Sequence, residues 1–97
     1  MEINKHIEND ILYVDLKGRL DTVTSQDLLA NLVEIDQVKA VEFDFKDLEY
    51  ISSAGLRVLV SYEKKLGGKD KVVIHNANPV VKNIFTVTGL GAVLTLA

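Results

Sequence analysis

Two adjacent hydroxyl side chains, Ser52 and Ser53, are the residues of this chain best placed to do chemistry. They follow a segment that alternates apolar and polar residues and precede one with apolar residues at helical spacing, which predicts a strand-to-helix junction. Serine is a favoured N-cap residue, and the first N–H groups of a helix have no acceptor within it. The junction therefore predicts either a plain helix cap or a surface that can receive a phosphate.

A serine hydrolase would need more than these hydroxyl groups. In a nucleophile elbow, glycine lies two residues before and two residues after the serine, whereas Ser53 has Ile51 before it and Gly55 after it. The two histidines, His6 and His75, have no evident triad context. We therefore predict that the protein is not an enzyme.

Other ligand classes are also disfavoured. The segment 67–70 (Gly-Gly-Lys-Asp) lacks the spacing and the Ser/Thr of a phosphate-binding P-loop and predicts a turn. The chain has no cysteine, and its two histidines and scattered carboxylates form no metal-binding pattern, so we predict neither a metal nor a cofactor. A net charge of -3 with scattered lysines argues against nucleic acids and membranes as partners.

The composition is typical of a small globular protein. No apolar run approaches the roughly 20 residues that a membrane-spanning helix needs, and the first residues lack the apolar core of a signal peptide. We therefore expect a cytoplasmic location. Of the 97 residues, 47% are hydrophobic and 26% are charged, and we predict a single domain over residues 1–97.

Periodic patterns predict eight elements in the order β-β-α-β-α-β-α-β. Alternation and short apolar runs place the five strands at residues 3–7, 11–17, 41–45, 71–75 and 93–96. The first two strands should form a hairpin. The first helix has three rival caps, Asp21, Thr22 and Thr24, and residues 24–27 resemble a capping box. Its apolar positions at helical spacing are Leu28, Leu29, Leu32, Val33 and Ile35.

The second and third helices have clearer boundaries. The second begins at Ser52 or Ser53 and ends at the glycines 67–68. The third begins at Asn78, which caps, with Pro79 in the first turn, and ends at Gly89. The predicted buried positions are Leu56, Leu59, Val60, Tyr62 and Leu66 in the second helix and Val80, Val81, Ile84 and Phe85 in the third.

The strand patterns also predict how the layers pack. Strands 11–17 and 41–45 each have one apolar and one polar face, whereas parallel strands covered on both sides read as continuous apolar runs. Helices should therefore pack mainly on one face of the sheet. If strands two, three and four are parallel with right-handed crossovers, their C-terminal ends share an edge, where residues 18–21, 52–53 and 76–78 meet.

The segment from Tyr50 to Leu59, Tyr-Ile-Ser-Ser-Ala-Gly-Leu-Arg-Val-Leu, resembles the signature of bacterial anti-sigma factor antagonists, which are STAS domains. In that signature a serine or threonine precedes a small residue, and Gly-Leu or Gly-Ile opens the helix. Residues 18–21 (Gly-Arg-Leu-Asp) resemble the family's loop after the second strand, and residues 78–90 resemble its third helix and exit. The resemblance covers nearly the whole chain and implies a STAS-like α/β fold, a mixed sheet with helices mainly on one face.

In this family the unphosphorylated antagonist binds a serine/threonine kinase that is also an anti-sigma factor, which releases the sigma factor and permits transcription. The kinase then phosphorylates one serine of the antagonist with ATP, the complex dissociates, and a serine phosphatase resets the switch. The resemblance places the phosphoacceptor at Ser53, with Ser52 the less favoured candidate at a position where many members carry aspartate. The residues implied in partner binding are Asp21, Ser52, Ser53, Ala54, Gly55 and Arg57.

Elementary electrostatics agrees with such a switch. A phosphate adds roughly -1.5 to -2 charges, which a helix N-terminus accepts without melting. Arg57, one turn along, is placed to pair with it, and Asp21 would add repulsion if it lies at the same edge. The alternative is a STAS module of a transport or signalling assembly, which binds protein without a sigma factor or a phospho-switch.

Overall fold

The fold is built on one mixed sheet of five strands. In chain order these are β1 (Glu2–Glu8), β2 (Ile11–Leu20), β3 (Ala40–Ile51), β4 (Val72–His75) and β5 (Thr95–Leu96), and they lie side by side in that order. The helices are α1 (Thr24–Ala30), α2 (Ser53–Leu66) and α3 (Pro79–Thr88), with a 3-10 turn at Leu90–Ala92. The computed structural model describes residues 1–30, 36–68 and 71–97. β1 is antiparallel to β2, and the other neighbouring strands pair in parallel. The predicted order of elements, β-β-α-β-α-β-α-β, is confirmed.

The β1–β2 hairpin turns through Asn9 and Asp10, whose φ angles are 53° and 64°. Positive φ at both central residues is the requirement of a type I′ turn, and asparagine and aspartate tolerate it better than other residues except glycine. The register pairs Glu8 with Ile11 across this turn. The predicted hairpin is therefore confirmed.

The core lies between one face of the sheet and the helices. Successive residues of a strand point to opposite faces, and the apolar set of each central strand points to the helices. On the opposite face, here called the helix-free face, no described helix packs, and the side chains are half-buried or exposed, among them Tyr13, Asp15, Glu42 and His75. This confirms that the helices pack mainly on one face. The strand residues of the core are Leu12, Val14, Leu16, Leu20, Val41, Phe43, Phe45, Leu48, Ile51, Val72 and Ile74.

β2 and β3 extend three or more residues beyond their predicted C-terminal ends. β2 continues to Leu20 rather than ending at residue 17, and β3 runs to Ile51 rather than to residue 45. The pairing of these strands shifts register twice between residues 15 and 19 of β2. Such irregularities interrupt the alternation of side chains while the strands stay paired, so the sequence pattern stops before the strands do. The last strand, β5, begins at residue 95 rather than 93, because the N–H groups of Val93 and Leu94 each donate to the Leu90 carbonyl at 2.9 Å.

Both longer helices begin and end where the capping residues predict. α2 starts after Ser52, and α3 starts after Asn78 with proline in its first turn. Each ends at a glycine in the left-handed conformation, Gly67 with φ of 83° and Gly89 with φ of 76°. No helix among the described residues is long and apolar enough to cross a membrane.

The buried faces of the helices differ in detail from the prediction. α2 buries Val58, which the spacing did not predict, whereas Val60 and Leu66 are only half-buried. α2 packs on α1 as well as on the sheet, and the Tyr62 hydroxyl donates a hydrogen bond to the Leu28 carbonyl at 2.7 Å. The buried arc of α2 is therefore rotated toward α1.

In α3, Val81 and Phe85 are fully buried, but Val80 is 57% exposed and its predicted burial is wrong. An α-helix turns by roughly 100° per residue, so Val80 lies well to the side of the arc that these two residues define. The predicted apolar positions that lie outside the described residues are Leu32, Val33 and Ile35.

Candidate functional site

Ser52 is the N-cap of α2 and is held by its neighbours on both sides. Its backbone is extended, with φ of -91° and ψ of 171°, and its hydroxyl oxygen accepts a hydrogen bond from the Gly55 N–H at 3.2 Å. Its carbonyl accepts from the Leu56 N–H at 2.9 Å, and its own N–H donates to the Leu20 carbonyl at 2.8 Å. Ser52 is thus half-buried, and its hydroxyl is already engaged as a cap.

Ser53 differs from Ser52 both in its burial and in its position relative to the helix cap. It is the first residue of α2, and it is exposed. Helix geometry leaves the N–H groups of Ser53 and Ala54 without acceptors inside the helix. The positive end of the helix dipole also lies at this point. A phosphate on the Ser53 oxygen would therefore meet unbonded N–H groups and partial positive charge at the surface.

Gly55 lets the first turn of α2 approach the sheet closely. A Cβ atom at this position would lie 2.8 Å from Leu20 Cγ and 3.0 Å from Ile51 Cγ1, closer than carbon atoms pack. The backbone of Gly55 is therefore pressed against the ends of β2 and β3, and the residue is buried. This close approach determines where Ser53, two residues earlier, lies.

Asp21 caps the turn that leads into α1. Its carboxylate accepts hydrogen bonds from the N–H groups of Val23 at 3.0 Å and Thr24 at 2.9 Å. In return the Thr24 hydroxyl accepts from the Asp21 N–H at 2.9 Å, and it has two acceptors for its own proton, the Arg19 carbonyl at 2.7 Å and the Asp21 carboxylate at 3.1 Å. This reciprocal pair places the capping box at 21–24, one turn earlier than the predicted 24–27, and selects Asp21 from the three rival caps.

These hydrogen bonds keep Asp21 charged. They lower the pKa of its carboxyl below the usual 3.8, with the Thr24 N–H the largest cause, followed by the Thr24 hydroxyl. The Arg19 charge lowers the pKa further as the smallest cause. Leu20 and Ile51 are paired across β2 and β3, so Asp21 and Ser52 leave the sheet side by side. An anionic carboxylate therefore lies at the same edge as Ser53.

The three predicted loops do meet at one edge of the sheet. The hydrogen bond from Ser52 to Leu20 joins the 18–21 loop to the start of α2. Asn78, besides capping α3, donates its side-chain amide to the Leu48 carbonyl of β3 at 3.0 Å. The 18–21 loop therefore lies beside the serines, and the 76–78 loop is tied to β3, the strand that precedes them.

Two arginines add positive charge near this edge. Arg57 is exposed on α2, one turn after Ser53, as the sequence predicts. Arg19 is also exposed, and its guanidinium lies 4.6 Å from the ring centroid of Tyr50, a cation–π contact that sequence reasoning missed. No periodic signal could have found this contact, because it depends on the register shift between the two strands.

The helix-free face contains the histidines but no evident reactive site. His75 Nε2 lies 2.6 Å from Glu42 Oε1, and the rings of His6 and Tyr13 stack with centroids 4.9 Å apart. Within residues 1–30, 36–68 and 71–97, no group of three histidine, aspartate or glutamate side chains is arranged to hold a metal ion. The chemistry of the described residues therefore concentrates at the serine edge.

Comparison with known proteins gives the fold and the family. The STAS domain family matches residues 2–97. BtrV of Bordetella bronchiseptica, whose name describes it as an anti-sigma factor antagonist, is 30% identical over 90 residues, which are 90% of this chain and 78% of BtrV.

Solved structures share the same architecture. An anti-sigma factor antagonist from Mycobacterium paratuberculosis superposes with a TM-score of 0.85 at 23% identity, covering 98% of this chain and 83% of that one. The anti-sigma factor antagonist SpoIIAA in its unphosphorylated form gives 0.84 at 19% identity, covering 99% and 88%. The phosphorylated Bacillus SpoIIAA gives 0.76 at 18% identity, covering 99% and 91%. With the STAS-like fold so confirmed, this chain belongs to the STAS-domain family of anti-sigma factor antagonists.

Proposed function

We propose that this protein is an anti-sigma factor antagonist that works in the cytoplasm as a phosphorylation-controlled partner switch. Unphosphorylated, it binds an anti-sigma factor serine/threonine kinase, and the released sigma factor permits transcription. The kinase then phosphorylates Ser53, the complex dissociates, and a serine phosphatase restores the binding form. The antagonist itself catalyses nothing in this scheme. Family membership and the likeness to BtrV support it.

The observation that carries the choice of acceptor is the difference between the two serines. The Ser52 hydroxyl is half-buried and accepts the Gly55 N–H, whereas Ser53 is exposed at the first position of α2. A kinase must bring the γ-phosphate of ATP within bonding distance of the acceptor oxygen. Ser53 offers that oxygen without uncapping the helix, and Ser52 does not.

The same geometry explains why phosphorylation would switch binding without unfolding the protein. The added charge of roughly -1.5 to -2 falls at a helix end that carries about half a positive charge, so α2 is not weakened. A bound partner instead meets a new dianion beside the Asp21 carboxylate, and the complex loses affinity. The SpoIIAA relative was solved in both forms, and this chain matches the fold of each.

The test is to incubate the protein with a purified anti-sigma factor serine kinase from the same organism and Mg-ATP, then to map added mass on peptides. We expect one phosphate, on Ser53, and none on the Ser53→Ala variant. Phosphate on Ser52 would contradict the assignment of the acceptor. A different outcome is that the protein binds tightly, that neither Ser53→Ala nor Ser53→Asp changes this affinity, and that no phosphate is added. That outcome would instead support a constitutive STAS module of a transport or signalling assembly.

A further inference from the structure

Arg19, near the end of β2, has no role in the phosphoacceptor scheme. Its side chain is exposed, and its guanidinium lies 4.6 Å from the Tyr50 ring centroid. The register pairs Arg19 with Tyr50 and Leu20 with Ile51. Because Leu20 and Ile51 point into the core, the preceding residue of each strand points to the helix-free side. Arg19 and Tyr50 therefore form a small platform on that side of the sheet edge.

The platform is fixed close to the phosphoacceptor. The Arg19 carbonyl accepts a hydrogen bond from the Thr24 hydroxyl at 2.7 Å. The next carbonyl, that of Leu20, accepts from the Ser52 N–H at 2.8 Å. Arg19 is thus one residue from the atom that anchors the cap of α2. These two hydrogen bonds, to the adjacent carbonyls of Arg19 and Leu20, set its position relative to Ser53.

The Tyr50 ring holds the Arg19 guanidinium in place, and no described residue accepts a hydrogen bond from it. Stacking on an aromatic ring occupies the flat face of a guanidinium and leaves its in-plane N–H donors available. Across the described parts of the chain, no carboxylate lies within the 4.0 Å of an ion pair with Arg19. The nearest acidic group in sequence, Asp21, already accepts the N–H groups of Val23 and Thr24.

We propose that Arg19, held on Tyr50, recognises the partner by binding a carboxylate on the partner's surface beside the cleft that receives Ser53. The proposal rests on the proposed function and names the partner chemistry at the same site. Arg57 supplies a second cation on α2, so a matching partner presents acidic side chains on both sides of the acceptor. In a chain of net charge -3, these two exposed guanidinium groups give local electrostatic complementarity to such carboxylates.

The platform also explains how phosphorylation would release such a partner. The edge carries the positive charges of Arg19 and Arg57 and the carboxylates of Asp21 and of Glu49, which is exposed and directly precedes Tyr50. A phosphate on Ser53 brings roughly -1.5 to -2 charges, which makes the balanced edge anionic. The edge then changes from attracting an acidic surface to repelling it.

The test measures the affinity of the unphosphorylated protein for the purified kinase used above, without nucleotide and with ADP, at low and high salt. Arg19→Ala should weaken binding about tenfold and reduce its salt dependence. Arg19→Lys, which keeps the charge but loses the planar fork, and Tyr50→Leu, which removes the stacking ring, should each show a smaller loss. Tyr50→Phe keeps the ring and should bind like wild type. Lys46→Ala is the matched control, since it removes an exposed cation from β3 farther from Ser53.

Thermal melts of each variant check that the fold is kept. Wild-type affinity in Arg19→Ala, or an equal loss in Lys46→Ala, would overturn this proposal while leaving the proposed function intact. A loss in Arg19→Ala only when the kinase holds nucleotide would also overturn it, because the ligand would then be a phosphate rather than a carboxylate. Failure of the wild-type protein to bind the kinase in any condition would overturn both.

Discussion

Replacing Gly55 by alanine adds one methyl group where α2 comes closest to the sheet. That methyl carbon would lie 2.8 Å from Leu20 Cγ and 3.0 Å from Ile51 Cγ1, whereas carbon atoms pack best at about 3.5–4.0 Å. Leu20 and Ile51 are 0% and 1% exposed. The nearest leucine atom is Cγ, where the side chain branches, rather than a flexible end. Because both side chains are also buried, neither can rotate into solvent to make room. The first turn of α2 must therefore move away from the sheet.

Two effects of opposite sign set the magnitude. In a helix, alanine is favoured over glycine by about 1 kcal/mol, whereas overpacking a buried site costs about 1–3 kcal/mol. Because the added methyl meets two buried side chains, we expect the upper end of that cost and a net loss of about 2 kcal/mol in the free energy of unfolding. Phosphorylation should also slow, since the displaced turn carries Ser53.

Urea denaturation of the wild-type protein and Gly55→Ala measures the difference directly. The matched control is Gly91→Ala in the 3-10 turn, where an added Cβ would meet no atom within 4 Å, and we expect a change within about 0.5 kcal/mol. A Gly55→Ala protein as stable as wild type, or more stable, would refute the packing argument. The close approach of α2 to β2 and β3 would then not be what positions Ser53.

Three further changes test other parts of the site. Ser52→Ala removes the cap bonded to Gly55, so urea melts should show a loss of about 1 kcal/mol in the free energy of unfolding. Ser53 should still accept phosphate in this variant. A Ser52→Ala protein as stable as wild type would contradict the capping role. Asp21 has a lowered pKa in the folded protein, so its stabilising effect is present above pH 3.8 and is lost as the pH falls below that value. Lowering the pH should therefore reduce the stability of wild type more than that of Asp21→Asn. Stability curves that stay parallel as the pH falls would contradict this role of Asp21. Tyr62→Phe leaves the buried Leu28 carbonyl without its 2.7 Å hydrogen bond. Urea melts should show a loss of about 1–2 kcal/mol in the free energy of unfolding, and an unchanged midpoint would contradict this.

The sequence was most informative where one residue type has a local mechanism. Asn78 followed by proline predicts the start of α3 because asparagine caps and proline needs no N–H partner there, and the structure has that start. The glycines that end α2 and α3 are likewise in the left-handed conformation that favours glycine. Local hydrogen bonding and backbone sterics decide these positions, so tertiary context did not alter them.

The sequence was least informative where pairing between strands decides the outcome. The register shifts of β2 against β3 hid the true ends of both strands and the Arg19–Tyr50 contact, because neither leaves a periodic trace. The cap of the first helix segment was ambiguous for a related reason. Asp21 and Thr24 are both good caps, and only the reciprocal hydrogen bonds between them select the first. The exposure of Val80 depends on how α3 is rotated on the sheet, which helical spacing does not fix.

The central claim is that a phosphate on Ser53 changes partner binding and leaves the fold intact. The most direct measurement is the affinity of the purified kinase for the unphosphorylated protein and for the protein stoichiometrically phosphorylated at Ser53, with far-UV circular dichroism recorded on both. We expect affinity to fall on the order of 100-fold, because like charges placed together at an interface cost several kcal/mol, with identical spectra. Equal affinities, or a loss of helical signal in the phosphorylated protein, would contradict the account.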